Sequence, residues 1–515
     1  MVKVLMLAAE NAALKDAKAG GMGDVVRDLP LALTDEGAVV DIIMPDYGRL
    51  VEQCQAKQVA TIVVSFSGQN KRLSLFVTKH PHLKSSIYFI QNPLWKRKGN
   101  SIYIDSGARP FADDANCFAL FSLGVATFVA RGFIPKPDVF HLNDWHSGFF
   151  TILTKFDSTF SDLKQIHSVF TVHNLALQGI RPLANDDSSL ESWYPGLYAN
   201  LTKTQLAKIK DPRYHNCVNP LRAAINLCDG IHIVSPTYAQ EVLKPSNPEA
   251  GFFGGEGLEK DLRKRSDDTL GVLNGHIYKS TRRHTIKFST FLKRLLPTMS
   301  DWQDAKPITT YEPREKVSEL ILNKAEPGFL LTSVGRLTDQ KALILRQQLN
   351  PKQLVLDVLL DELASYSDTA LFILLGSGDP LLEATFHEVA SRHKNFLFLN
   401  GYNEEVSEWL YECGDLFLMP SSFEPCGISQ MLAMQYGQPC LVHGVGGLND
   451  TVRHLENGFS FQGNNLKEQS QQLIVGLKEA LNLVGTPKWK TISKRAKAER
   501  FTWQDTAKEI VAKLY

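Results

Sequence analysis

Pro420-Ser421-Ser422-Phe423-Glu424-Pro425-Cys426-Gly427-Ile428-Ser429-Gln430 lies between two segments of different character. Ahead of it, Asp415-Leu416-Phe417-Leu418-Met419 is an apolar run after a single acid, the pattern of a strand buried on both faces. Behind it, Met431-Leu432-Ala433-Met434 reads as a helix packed on that sheet. A strand that passes into a helix through a short turn is the unit of a parallel α/β fold. The turn brings one carboxylate, Glu424, to a helix N-terminus, where backbone N–H groups lack intrahelical partners and the dipole favours an anion. A carboxylate beside an anion site suits a protein that holds a sugar next to a phosphate.

The same strand-to-helix rhythm extends in both directions. Val2–Ala8 is a first strand, followed by the glycine-rich Lys15–Asp24 loop and by helical spacing from Val25. Residues 60–77 alternate as an antiparallel hairpin would, and Ala115–Val129 reads as a helix. Strands at 138–142, 168–172 and 230–234 end in Asn143-Asp144-Trp145-His146, in His173-Asn174 and in Ser235-Pro236. The rhythm stops across His276–Lys324, a polar stretch with Lys279, Arg282, Arg283, Lys287, Lys293 and Arg294, and resumes at Phe329. Later strands run into Gly376-Ser377-Gly378-Asp379, Gly401-Tyr402 and Gly444-Val445-Gly446-Gly447. Thr502-Trp503-Gln504-Asp505 looks like a capping box for a last helix. The expectation is an α/β protein of two Rossmann-like, doubly wound domains facing across a deep cleft. Residues 1–272 would form the first, 273–325 an irregular connecting region and 326–497 the second, with 498–515 a terminal helix. Ligands of such sheets lie beyond the carboxyl ends of the strands, which is where nearly all of these unusual residues fall.

Bulk properties narrow the class. The formal net charge of +1 gives no global field for nucleic acid or a membrane surface. Seven cysteines, scattered and without a CxxC pair, argue for a reducing, cytoplasmic compartment and against a zinc or disulfide framework. The apolar start runs into Glu10 and reads as a strand rather than a signal peptide, and no apolar run approaches the roughly 20 residues of a membrane span. None of the glycine clusters completes GxGxxG with an acidic ribose partner, which excludes a nicotinamide or flavin dinucleotide fingerprint. No acidic cluster suited to a metal is evident, so neither cofactor nor metal is expected.

Singly, the remaining candidates are ambiguous. Lys18 beside Gly20 and Gly21 could meet a ligand or simply be solvated. Arg336 and Lys341 place two cations after one strand, as a phosphate clamp or as surface charge. His146 follows Asp144, which could orient it.

Jointly they resemble a known family. KAGGMGDV (18–25), DWHSG (144–148), VHN (172–174), VSPTYAQEV (234–242), LNG (273–275), GRLTDQK (335–341), PSSFEPCGISQ (420–430) and GGLNDTV (446–452) are similar, in order, to the signatures of bacterial glycogen synthases and plant starch synthases. The resemblance implies retaining transfer of glucose from ADP-glucose to the non-reducing 4-hydroxyl of an α-1,4-glucan. It also implies a last helix that crosses back to the first domain. On the matching positions it implies that Lys18, Gly20 and Gly21 approach the donor phosphates and that Arg336 and Lys341 neutralise the departing diphosphate. Tyr402 would stack on adenine. Glu424, Cys426 and Gly427 would hold the donor glucose, Gly446 and Gly447 would lie on the phosphate side, and His146 would bind the glucose from the first domain. Related readings keep the chemistry with UDP-glucose or a small acceptor, or keep glucan binding without turnover. The chain departs from the family pattern at Cys117, where arginine is usual, at His276-Ile277 after Asn274-Gly275, at Ala342 after Lys341, and in its long 276–324 stretch.

Overall fold

A computed structural model describes residues 1–96, 101–104, 109–278, 287–301 and 311–515. The chain divides into two compact units. The first comprises Met1–Ser246, Gly254–Ile277 and Thr502–Tyr515, and the second comprises Asn247–Phe253 and Tyr278–Phe501.

The first unit is built on a nine-stranded sheet. From one edge to the other its strands are Thr269–Gly271, Gly230–Ile233, His167–Val172, Val139–Asn143, Val2–Leu7, Ala38–Pro45, Ser86–Gln91, Gln69–Lys79 and Lys57–Phe66. The first seven are parallel, and the last two form the expected hairpin, antiparallel to each other, with Gln69–Lys79 antiparallel to Ser86–Gln91. Because crossover helices cover the parallel strands, Val139–Asn143 is buried at every position. Among the described residues one helix, Pro110–Ala130, is long and apolar enough to cross a membrane, and 83% of its most apolar window is buried within the fold. Its apolar length serves the core.

The second unit carries a six-stranded, all-parallel sheet: Phe396–Asn400, Leu371–Gly376, Leu330–Val334, Leu416–Met419, Cys440–His443 and Phe459–Phe461. Alternate residues feed two cores, Phe372 and Leu374 on one face, Leu371, Ile373 and Leu375 on the other. Here the structure corrects one expectation. The 273–325 stretch is not irregular: it contains helices Phe288–Asp301 and Tyr311–Leu322. Phe288, Phe291, Leu292, Leu295 and Met299 recur at helical spacing and join the second core, while Lys287, Lys293 and Arg294 lie off that apolar stripe. Lys316 anchors the second helix by donating to the carbonyls of His393 and Phe396 at 3.0 and 3.1 Å. The basic residues Lys279, Arg282 and Arg283 lie outside the described residues.

The first sheet is crossed by a chain of buried polar side chains. Working back from the carbonyl of Val272 assigns every proton. His232 Nε2–H donates to Val272 O at 3.3 Å, so His232 Nδ1 accepts from the Thr171 hydroxyl at 3.1 Å. Thr171 Oγ1 then accepts from His141 Nε2–H at 2.7 Å, and His141 Nδ1 accepts from the Tyr515 hydroxyl at 2.5 Å. The chain is complete only with neutral imidazoles, and it ties the helix Trp503–Lys513 to the centre of the sheet. Burial, reinforced by the neighbouring imidazoles, lowers His141 to about 3, and burial lowers His232 to about 4.

An unfolded histidine titrates near ~6.5. Below that pH the unfolded chain binds protons that the folded unit refuses, so stability is full above ~6.5 and drains away as pH falls toward about 4. Urea denaturation should show this decline, and a flat profile would remove the histidines as its cause. At neutral pH, Tyr515→Phe should cost about 1–2 kcal/mol, because it leaves a buried acceptor unpaired.

Candidate active site

In the second unit the functional side chains gather where strands end. The Leu330–Val334 strand passes through Gly335-Arg336-Leu337-Thr338 into the single helical turn Asp339–Ala342. That turn faces the segment after Leu416–Met419. Lys341 Nζ donates to Glu424 Oε2, and the Ser421 hydroxyl donates to the same oxygen at 3.1 Å. The carboxylate side chain is 9% exposed and the ammonium 26%, so each charge is largely withdrawn from water and compensated by the other.

Gln340 sets this alignment, although the sequence reading had not singled it out within GRLTDQK. Its amide donates to Phe423 O at 2.6 Å, and its own carbonyl accepts from Ser422 N at 2.9 Å. The two segments are thus stapled on either side of the ion pair. His443 Nδ1–H donates to Ser421 O at 3.0 Å and fixes the turn from below. The glycine turns also converge. Gly447 N–H donates to the Glu424 carbonyl at 3.1 Å, and a Cβ on Gly447 would lie 2.1 Å from Cys426 O. Gly427 holds φ +78 and Gly446 φ +43, in the left-handed region. The structure therefore brings Lys341, Glu424, Cys426, Gly427, Gly446 and Gly447 together. Arg336 is exposed at the end of the adjoining strand, and Tyr402 stands 62% exposed after Phe396–Asn400.

In the first unit, the Lys18–Gly21 loop is arranged differently from the phosphate reading. Glu10, 3% exposed at the end of the first strand, accepts from Ala19 N at 2.8 Å and Gly20 N at 2.5 Å. Its other oxygen accepts from the Tyr103 hydroxyl at 2.7 Å. The Lys18 ammonium is 2.7 Å from Asp24, which sits in the first turn of helix Gly21–Asp35, where the dipole favours an acid. Two loop N–H groups and the loop's cation are therefore already engaged by carboxylates. Glu10 and Tyr103 hold this loop and were not among the residues expected from the sequence; the acid that ends the first apolar run was the available signal.

His146 lies on helix Asp144–Phe156, 6% exposed, against Phe118 and Trp145 with ring centroids at 4.7 and 4.3 Å, and stacked on Tyr103 at 5.4 Å. Burial lowers it to about 3, and its Nδ1 has no hydrogen-bond partner. Asp144 does not orient it, contrary to expectation. Asp144, at φ +50, accepts from His173 N at 2.8 Å, and burial raises its carboxyl to about 7. The oriented imidazole is instead His173, half-buried at the end of His167–Val172. Asn143 Nδ2 donates to Leu7 O at 3.0 Å, which aims Asn143 Oδ1 at His173 Nε2 2.9 Å away. Nε2 therefore carries the proton and Nδ1 keeps a lone pair, with burial lowering the ring to about 3. VHN contains this residue, but nothing in the sequence says that Asn143 meets its imidazole while Asp144 meets its backbone N–H. Among the described residues, no group of three or more His, Cys, Asp and Glu side chains is arranged to hold a metal.

Comparison with known proteins agrees with this architecture. Residues 3–264 match the starch synthase catalytic domain family, and residues 333–479 match group 1 glycosyl transferases. A glycogen synthase of Streptococcus equi subsp. equi is 32% identical, across 100% of this chain and 99% of the relative. One from Francisella tularensis subsp. novicida is 30% identical, across 96% of this chain and 95% of the relative. The solved catalytic domain of starch synthase IV from Arabidopsis thaliana, bound to ADP and acarbose, superposes with a TM-score of 0.76 at 25% identity, covering 100% of this chain and 98% of that one. Sucrose-phosphate synthase from Thermosynechococcus elongatus shares the fold, with a TM-score of 0.54 at 16% identity. Two doubly wound units whose charged and glycine-lined strand ends fall within these matches define a glycosyltransferase. The chain belongs to the glycogen synthase and starch synthase family.

A side chain at position 447 has no room. Gly447→Ala should push the two glycine turns apart, break the bond to the Glu424 carbonyl and lower kcat by about 10²-fold, the scale of a 1 Å misplacement. Steady-state kinetics on the purified variant, with thermal melting to separate misplacement from unfolding, checks this.

Proposed function

We propose that this protein is a glycogen synthase that transfers glucose, with retention, from ADP-glucose to the non-reducing 4-hydroxyl of an α-1,4-glucan and releases ADP. The observation that carries the reading is the Lys341–Glu424 pair, held at the strand ends by Gln340 in a chain of this family. The starch synthase relative solved with ADP and acarbose supports the choice of donor and acceptor.

Breaking a sugar–phosphate bond leaves negative charge on the diphosphate and an oxocarbenium-like ring. Arg336 and Lys341 stabilise the first as fixed cations. Glu424, freed in part when Lys341 turns to the phosphate, lies on the side of the ring's developing positive charge. Cys426 and Gly427 hold the glucose by size and backbone, Gly446 and Gly447 line the phosphate side, and Tyr402 stacks on the base. His146 and the oriented His173 meet sugar hydroxyls as neutral imidazoles, and Lys18, with Gly20 and Gly21, turns to the donor phosphates by leaving Asp24. The departing phosphate takes the proton of the acceptor hydroxyl on the face it leaves, which gives retention without a second carboxylate. The reaction needs no cofactor.

Purified protein given ADP-glucose and glycogen should release ADP and lengthen the glucan, with UDP-glucose the poorer donor. Absence of nucleotide release with either donor would falsify the reading. Lys341→Ala and Glu424→Ala should each lower kcat by about 10²-fold, the scale of one transition-state contact. Near-normal turnover in either variant would take that residue out of the site.

A further inference from the structure

Residues 247–253 belong to the second unit, although the chain on both sides of them belongs to the first. The segment is closed on itself. Asn247 N donates to Phe252 O at 2.8 Å, Phe252 N to Asn247 O at 3.0 Å, and Ala250 N to Asn247 Oδ1 at 3.3 Å. Helix Leu466–Leu483 anchors it. Gln469, 3% exposed, donates to Ala250 O at 3.2 Å. Gly251 turns at φ +68, where a Cβ would lie 2.5 Å from Leu466 Cδ2. The last residue of this anchored loop, Phe253, meets Phe423, with ring centroids at 6.0 Å and planes tilted by 49°.

Phe423 is a residue in need of such a neighbour. It stands directly before Glu424 and is 5% exposed, yet among the described residues it joins neither core of the six-stranded sheet. Its carbonyl takes the Gln340 amide at 2.6 Å, and Ser422 N, just before it, donates to the Gln340 carbonyl at 2.9 Å. Gln340 therefore fixes the main chain here and leaves the Phe423 ring to whatever packs on it. An aromatic ring that loses its cover gains by moving to find another. Here that movement would be carried by the peptide that also sets Glu424.

Resting on the glucosyl-transfer reading above, we infer that Phe253 is a positioning residue for Glu424. Its action is indirect. It covers the Phe423 ring while Gln340 holds the main chain. Together they keep the Phe423–Glu424 peptide where the carboxylate reaches Lys341 and the Ser421 hydroxyl.

Steady-state kinetics and amide hydrogen exchange on the full-length chain test this. Phe253→Ala should lower kcat about tenfold, the scale of one aromatic pair, and leave KM for ADP-glucose within about twofold. Phe253→Leu, which keeps apolar cover, should recover most of the loss. Combined with Gln340→Ala, the loss should fall short of the product of the two single losses, because both act on one peptide. Phe253→Ala should also speed exchange across 420–427 while the strand Leu371–Gly376 exchanges as in wild type, a readout that needs no turnover. Wild-type kcat in Phe253→Ala, losses that simply multiply, or faster exchange spread over the whole second unit each overturn the proposal. A rise in KM at constant kcat overturns it too, because it makes Phe253 a substrate contact. A wild-type chain that transfers glucose from neither ADP-glucose nor UDP-glucose overturns the glucosyl-transfer reading. Exchange across 420–427 that ignores Phe253→Ala overturns the positioning role by itself.

Discussion

Lys341 and Glu424 stay withdrawn from water because each cancels the other. A buried carboxylate or ammonium without a partner costs several kcal/mol, so the local backbone must hold the two together before any ligand arrives. Gln340 supplies that constraint by bonding both ways to the Ser422–Phe423 backbone. Once it has aligned the segments, Ser421 can complete the carboxylate's shell and Gly447 can close on the Glu424 carbonyl. The site is therefore charged but electrically balanced at rest. In the proposed reaction a departing phosphate would compete with Glu424 for an ammonium that is already in place, which would leave little reorganisation for the moment of reaction.

The first unit solves the opposite problem. Its buried titratable groups are shifted toward their neutral forms: His146 and His173 past the strand ends and His141 within the sheet are lowered to about 3, His232 to about 4, and Asp144 is raised to about 7. Where a full carboxylate is buried, as at Glu10, it is consumed by two backbone N–H groups and the Tyr103 hydroxyl. What this edge offers a ligand is a set of oriented, uncharged polar atoms such as His173 Nδ1. That chemistry fits sugar hydroxyls, which need directional acceptors and donors and would gain little from net charge.

Much of this was legible in the chain. The parallel strands, the hairpin and the helix start at Thr502 are local signals, although Thr502 caps Asp505 N with its side chain alone and the reciprocal half of a capping box is not formed, and the motifs at strand ends lie where the second unit's glycine turns converge. The missed parts share a cause. Helix Phe288–Asp301 was obscured because its composition is polar while its five core residues are spaced around the turns; the average hid the period. Asp144 was paired in sequence with His146 two residues away, yet its backbone at φ +50 turns the carboxylate to the next strand. Gln340 and Glu10 act on residues distant in sequence or through backbone atoms, and one sequence does not show which amide finds which carbonyl. Partner choice across strands is a tertiary fact.

The glycine turns follow the same rule. Gly20 gives its N–H to Glu10, Gly378 to Glu383, and Gly447 to a neighbouring carbonyl. All three sit at strand-to-helix turns, where glycine suggests phosphate. Yet at Gly378 and Gly447 the absent side chain makes room for backbone, with a hypothetical Cβ only 2.2 and 2.1 Å from a carbonyl oxygen. Glycine at such a turn reports how closely two chains approach. Whether an anion, a sugar or a base is received there depends on which donors remain once neighbouring carboxylates have taken theirs. By that criterion the cationic end at Arg336 and Lys341 and the turn at Gly378, whose N–H Glu383 has taken, differ in kind, although both follow strands of one sheet.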